Sequence, residues 1–212
     1  MLRSLRAVAE AHGHDPSKLR IVGVTKTHPV EVARAALDAG ITLLGENRIQ
    51  EAEPKVAALP EAEWHLVGHL QSNKARRAAR AFAVIHSVDS QPLLDRLDAG
   101  AAEERSALRV LLQVNVSGEA TKAGMAPESI ESIRRPEHAS LVGLMTIAPM
   151  GASNAAARAV FGTLRDLRDQ LEQRIGMALP ELSMGMSADA EAAAAEGATL
   201  VRIGTALFGP RA

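Results

Sequence analysis

Short apolar runs rich in Val, Ile and Leu recur along this chain at 20–25, 41–45, 64–68, 84–87, 108–115, 141–146, 182–185 and 200–203. Each is bounded by Gly, Pro or a small polar cluster, and so few residues of such character read as strands. Between them, small and apolar residues return at helical spacing over 30–39, 48–58, 72–82, 91–104, 127–134, 155–174 and 187–196, and a further amphipathic helix covers 2–12. Strands alternating with helices in this way predict an α/β chain and, more narrowly, a (β/α)8 TIM barrel with an extra N-terminal helix. The alternative is an open doubly wound sheet, which carries a glycine fingerprint after its first strand. Here the first run ends instead in Thr25, Lys26, Thr27, His28 and Pro29. No Pro/Gly-rich seam or low-complexity tract divides the chain, so 1–212 is expected to form a single barrel domain.

Composition narrows the chemistry. Apolar residues make up 47% of the chain and aromatics only 2%, so the core must be aliphatic. A formal net charge of -1 without a long basic block argues against a nucleic-acid partner. There is no Cys, which excludes disulfides, thiolate nucleophiles and Cys-based metal sites. No apolar run approaches the roughly 20 residues of a membrane span, and the N-terminus lacks the apolar stretch of a secretory signal. The expectation is a cytoplasmic protein with no membrane partner. With Trp64 and three Phe as its aromatics, the chain offers no anchor cluster for a large interface, so a monomer is expected.

A barrel gathers its chemistry where strands end and βα loops begin. Lys26 directly follows the first apolar run, where low-dielectric walls favour a neutral, nucleophilic amine able to form an imine with an aldehyde; the plainer reading is a solvated lysine. The last two strand ends, GMSAD and RIGTALFG, bring small residues and hydroxyls to the place where such barrels hold phosphate. Ser187 is expected to cap the helix after strand seven, and Gly204 with Thr205 to start a short helix after strand eight, so that two sets of unpaired N–H groups converge. Taken singly, each is ordinary capping. Arg202 lies within the final strand and needs either an inward carboxylate or a ligand acceptor such as a pyridine nitrogen. An arginine keeps its proton, so a ring nitrogen facing it stays unprotonated and the ring is a poor electron sink. His65 and His69 flank the end of strand three and read as structural, without the helical spacing of a metal pair.

These segments, with LLGENRIQEAEPK, WHLVGHLQSNKAR, HSVDS, VNVSGEATKAGM and GLMTIAP between them, resemble in order and spacing the pyridoxal phosphate homeostasis proteins. That family is similar in fold to the barrel domain of alanine racemase. The resemblance implies that Lys26 carries pyridoxal 5'-phosphate as a Schiff base, that Ser187, Gly204 and Thr205 hold its phosphate, that Arg202 faces the ring nitrogen, and that Asn47 lines the pocket. Lys122 matches a lysine near the mouth, where a second amine would help hand the aldehyde on. His28 departs from the family, where many relatives have a second lysine beside the first.

A two-base racemase needs an acid/base opposite the lysine. The chain has no Tyr and no Cys, and since the sequence reaches Ala212 just after the eighth strand's turn, the β-domain of alanine racemase is expected to be absent. The expected activity is therefore binding and delivery of pyridoxal 5'-phosphate, with transient apo-enzyme partners, no metal and no catalytic residue. The alternatives are a weak amino-acid racemase and a Schiff-base aldolase acting on a phosphorylated sugar.

Overall fold

A computed structural model describes residues 1–119 and 123–209. Eight parallel strands close in sequence order into a barrel: β1 (Arg20–Val24), β2 (Leu43–Glu46), β3 (Glu63–Leu66), β4 (Val84–Val88), β5 (Arg109–Gln113), β6 (Ser140–Met145), β7 (Glu181–Ser183) and β8 (Leu200–Ile203). Around it lie α2 (Val30–Asp38), α3 (Ile49–Ala58), α4 (Ala75–Ala81), α5 (Gln91–Glu104), α6 (Asn154–Ile175), α7 (Ala190–Ala195) and the short α8 (Thr205–Phe208), after the N-terminal α1 (Leu2–Ala11). Pairing of β1 with β8 from Arg20 opposite Leu200 to Gly23 opposite Ile203 closes the ring. The expected barrel and extra helix are both present. Helix α1 buries Leu5 and Ala9 and lies against α7, while Arg6 donates to the Leu19 carbonyl.

Two helical expectations need correction. Residues 127–134 form only a 3-10 segment, Pro127–Ser132, because helix α5 captures the backbone groups beyond it. Gln91 Oε1 accepts from Arg134 N at 2.8 Å, and the Asp98 carboxylate accepts from the amides of Glu137, His138 and Ala139. The helix expected over 187–196 starts later, at Ala190, with Asp189 and not Ser187 at its N-cap position. The cause is a tight turn in which Asp189 Oδ1 accepts from Met186 N at 2.5 Å and Asp189 N donates to the Met186 carbonyl at 3.2 Å. Gly185 sets up that turn with a φ of +86°, and a Cβ there would fall 2.5 Å from Ala193 Cβ.

The main core lies between strands and helices. It includes Leu44, Leu66, Ile85, Leu112 and Leu144 on the strands and Phe161 and Leu164 on α6. Each such side chain contributes about 1.5–3 kcal/mol on burial. Inside the barrel the apolar filling is small, with Val84, Leu111 and Met145 forming a separate cluster. Much of the rest of the interior is polar, although Val22 and Leu200, on the faces of Arg20 and Arg202, are buried there too. At its base, the first residues of the odd strands, Arg20, Glu63, Arg109 and Glu181, form two ion pairs, Arg20 with Glu181 and Arg109 with Glu63. Alternate strands contribute side chains to one layer of such a barrel, so this layer is charged where aliphatic residues are usual.

A second polar group sits between barrel and helix. Glu46, fully buried at the end of β2, accepts from Lys55 Nζ of α3 at 2.6 Å and from Thr25 Oγ1 at 2.6 Å. Lys55 Nζ also donates to the Thr25 carbonyl at 2.9 Å, tying the end of β1 to α3 just before Lys26.

Candidate functional site

At the strands' carboxyl ends, a cavity of about 350 Å³ is lined by Lys26, Asn47, Ser187, Arg202, Gly204 and Thr205 together with apolar neighbours such as Val24 and Val67. All six residues singled out from the sequence meet in this one place. Its volume lies in the range of small-molecule sites, roughly 300–1,000 Å³. Lys26 is half-buried at the end of β1, and the next residue, Thr27, has a φ of +66°. A non-glycine residue in that region is uncommon and concentrates at functional sites. Asn47 follows β2, and its backbone is pinned by Gly68. A Cβ on Gly68 would fall 2.3 Å from the Asn47 carbonyl oxygen.

Ser187 is exposed in the turn before α7, and its Oγ accepts from Ala206 N at 3.4 Å. The hydroxyl thus bridges to the first turn of α8, whose N-cap position is Gly204. The two loops converge as expected, although Ser187 reaches the site from a turn and not from a helix start. Exposed Thr205 adds a second hydroxyl, and Gly204 leaves its backbone unshielded.

Arg202 is buried, and among the described residues no carboxylate lies within ion-pair distance of it. Its Nη1 donates to Ser183 Oγ at 2.5 Å and its Nη2 to the Thr146 carbonyl at 2.9 Å. Burial lowers its pKa to about 10, with Asp189 opposing the shift, so it remains a cation at neutral pH. The inward-carboxylate alternative is not what the barrel contains. A cation held by neutral acceptors at the wall of a cavity suits an uncharged or anionic ligand atom.

Other residues noted in the sequence lie elsewhere. His28 packs its ring against Phe208 of α8, with centroids 5.8 Å apart. His69 is exposed, 3.4 Å from Asp89. Lys122 lies outside the described residues. His65 points into the barrel, buried, where its Nδ1 meets His86 Nε2 at 2.8 Å and its Nε2 meets Glu63 Oε1 at 2.9 Å. Sequence reasoning treated His65 as structural but passed over His86 and Ser183. The available signal was period two in β4, where Val84 and His86 share the inner face.

The interior histidines carry a pH consequence. Burial lowers the pKa of His65, partly offset by its hydrogen bond to Glu63, and burial beside His65 and Arg202 holds His86 well below the usual histidine value. Glu63 is lowered to about 2, first by its hydrogen bond with His65, against desolvation, and then by Arg109. For all three the folded pKa lies below the unfolded one, so the unfolded chain binds more protons in acid and stability falls as pH falls. Urea unfolding should show the free energy declining from about pH 6.5, before carboxylates titrate, and declining again through the Glu63 range. A profile flat from about pH 8 to about pH 4.5 would contradict neutral buried histidines.

The fold and site define a class: residues 3–212 match the alanine racemase N-terminal domain family. Within that class, the chain belongs to the pyridoxal phosphate homeostasis protein family. The homeostasis protein of Aquifex aeolicus is 40% identical over 217 residues, covering 100% of this chain and 95% of that protein. PipY of Synechococcus elongatus, solved with PLP bound, superposes with a TM-score of 0.85 at 40% identity, over 97% of this chain and 100% of that chain. An alanine racemase of Clostridium difficile shares the fold at 17% identity and a TM-score of 0.78, with this chain spanning 56% of its length.

Proposed function

We propose that this protein binds pyridoxal 5'-phosphate covalently through the amine of Lys26 and serves cofactor homeostasis or delivery without turnover. The observation that carries the reading is the convergence of six residues from the ends of β1, β2, β7 and β8 on one cavity. The donor set fits the group. Ser187, Gly204 and Thr205 supply hydroxyls and backbone N–H groups to a phosphate, Arg202 supplies an N–H to the ring nitrogen, and Asn47 borders the ring. When bound, the cofactor supplies an electrophilic aldehyde, which the lysine keeps masked. The bound cofactor of PipY at 40% identity supports the same reading.

Absence of turnover rests on the cavity wall. Among the described lining residues only Lys26 and Arg202 are titratable, and a guanidinium is a poor base. Racemisation needs a second acid/base facing the lysine, and the described lining residues provide none. The reading extends to one barrel domain, acting as a cytoplasmic monomer and passing its cargo transiently to apo-enzymes. The monomer is supported by the scarcity of aromatic anchors, one Trp and three Phe, and no helix among the described residues is long and apolar enough to cross a membrane.

Titration of the purified protein with pyridoxal phosphate, followed by a racemisation assay on alanine, tests both halves. The expected result is a saturable visible absorbance band with no racemisation above the free cofactor. A band accompanied by turnover would make the chain a racemase. No band at all would redirect the search to phosphorylated carbonyl substrates.

A further inference from the structure

The interior of the barrel contains a hydrogen-bonded file that the proposed function does not use. It runs from Arg202 Nη1 to Ser183 Oγ at 2.5 Å, from Ser183 Oγ to His86 Nδ1 at 2.7 Å, and from His86 Nε2 to His65 Nδ1 at 2.8 Å. His65 Nε2 then meets Glu63 Oε1 at 2.9 Å, and Glu63 Oε2 pairs with Arg109 Nη2 at 2.7 Å. Arg202, Ser183, His86 and His65 are all buried, so an unmade contact along the file is costly.

Its ends dictate its direction. A guanidinium only donates and a carboxylate only accepts, whereas a serine hydroxyl or a neutral imidazole does one of each. Arg202 therefore donates to Ser183, Ser183 donates to His86 Nδ1, His86 Nε2–H donates to His65 Nδ1, and His65 Nε2–H donates to Glu63. Burial disfavours a charged form of either ring, and with both imidazoles neutral no other assignment satisfies every contact, so each carries its proton on Nε2. An added proton on His86 would sit on Nδ1, facing the hydroxyl already engaged by Arg202. It would also be faced by the charges of Arg202 from β8 and Arg109 from β5, with His65 of β3 beside it.

We propose that His86 and His65 are positioning residues that act through Ser183 to hold the Arg202 guanidinium at the wall of the cofactor cavity. With its single proton drawn to His86, the Ser183 oxygen presents only lone pairs to Arg202. That acceptor, with the Thr146 carbonyl, engages two of the five guanidinium N–H groups and leaves others for a ligand. The role assigned to Arg202 rests on the cofactor reading above, whereas the polarity of the file does not.

Long-range proton–nitrogen NMR on the cofactor-free protein tests the file itself. Both rings are expected as Nε2–H tautomers, unchanged from about pH 8 to about pH 6, across the ordinary histidine range. A proton on Nδ1 of His86, or uptake of a proton by either ring in that interval, overturns the proposal. Cofactor titration then tests the positioning. Ser183→Ala and His86→Leu should each weaken pyridoxal phosphate binding roughly tenfold and move the visible band, and His86→Asn, which restores an acceptor opposite Ser183, should recover most of both. Ser183→Ala removes one atom, so it answers the question even if the leucine variant fails to fold. If the wild type binds and Ser183→Ala matches it in affinity and spectrum, the positioning role is wrong while the cofactor reading stands. If the wild type binds no cofactor, that reading fails and the role of the file with it, whatever tautomers NMR finds.

Discussion

Lys26→Ala should lose the visible band that the wild-type protein develops with pyridoxal phosphate, and its affinity should fall by on the order of a hundredfold. The reason is chemical. The other cavity residues offer hydrogen bonds and charge, but Lys26 is the lining residue whose amine can become a nucleophile; Arg202 cannot give up its proton. Borohydride treatment of the loaded wild type, followed by peptide mass spectrometry, should locate the modification on Lys26. Lys26→Arg is the sharper control because it keeps the charge and forgoes the bond. It should be as colourless as the alanine variant. A persistent band in either variant would move the attachment elsewhere and break the assignment of the site.

Lys55→Met should be the most destabilising single change outside the main core, at about 3–5 kcal/mol. Removing the ammonium leaves the Glu46 carboxylate fully buried with only Thr25 as a partner, and its Oε2 already has no hydrogen bond. At this chain length each kcal/mol corresponds to about 2–4 °C in melting temperature, so a drop of about 6–20 °C is expected. Combining Lys55→Met with Glu46→Gln should recover more than half of the loss, since the larger part is the cost of an unpaired buried charge. Thermal melts of the single and double variants decide it. A single variant melting within about 3 °C of wild type would mean that the pair contributes little. The same change should also weaken cofactor binding, because Lys55 restrains the Thr25 carbonyl immediately before Lys26.

Much of the architecture was legible because its signals are local. Eight apolar runs alternating with helical stretches specified a closed β/α barrel, and strand eight was read at its observed bounds. Helix α5 was also read at its observed bounds, with Ser90 and Pro92 marking its start and left-handed Arg105 its end. Two helices were misjudged, one because distant groups claim the backbone that follows it and one because a local turn delays its start. The Pro127–Ser132 segment has helical spacing but goes no further, because Gln91 and Asp98 hold the amides of Arg134 and His138 beyond it. Ser187 has a capping residue's chemistry, yet the Met186 to Asp189 turn displaces the helix start by three residues.

The sequence by itself determined the barrel, the order of its strands and five of the six cavity residues at their carboxyl ends, because strand periodicity and strand ends are properties of a few consecutive residues and the barrel rule assigns those ends to one mouth. Asn47 followed only from the family resemblance. Only the tertiary structure decided how the barrel is filled. Ser183 and His86 are 97 residues apart, and nothing in the local sequence of either marks the other as a partner. Closure of the sheet places them 2.7 Å apart beneath Arg202. A buried polar atom must find a partner from whatever strand faces it, and which strand that is follows from stagger and curvature, which no short stretch of sequence encodes.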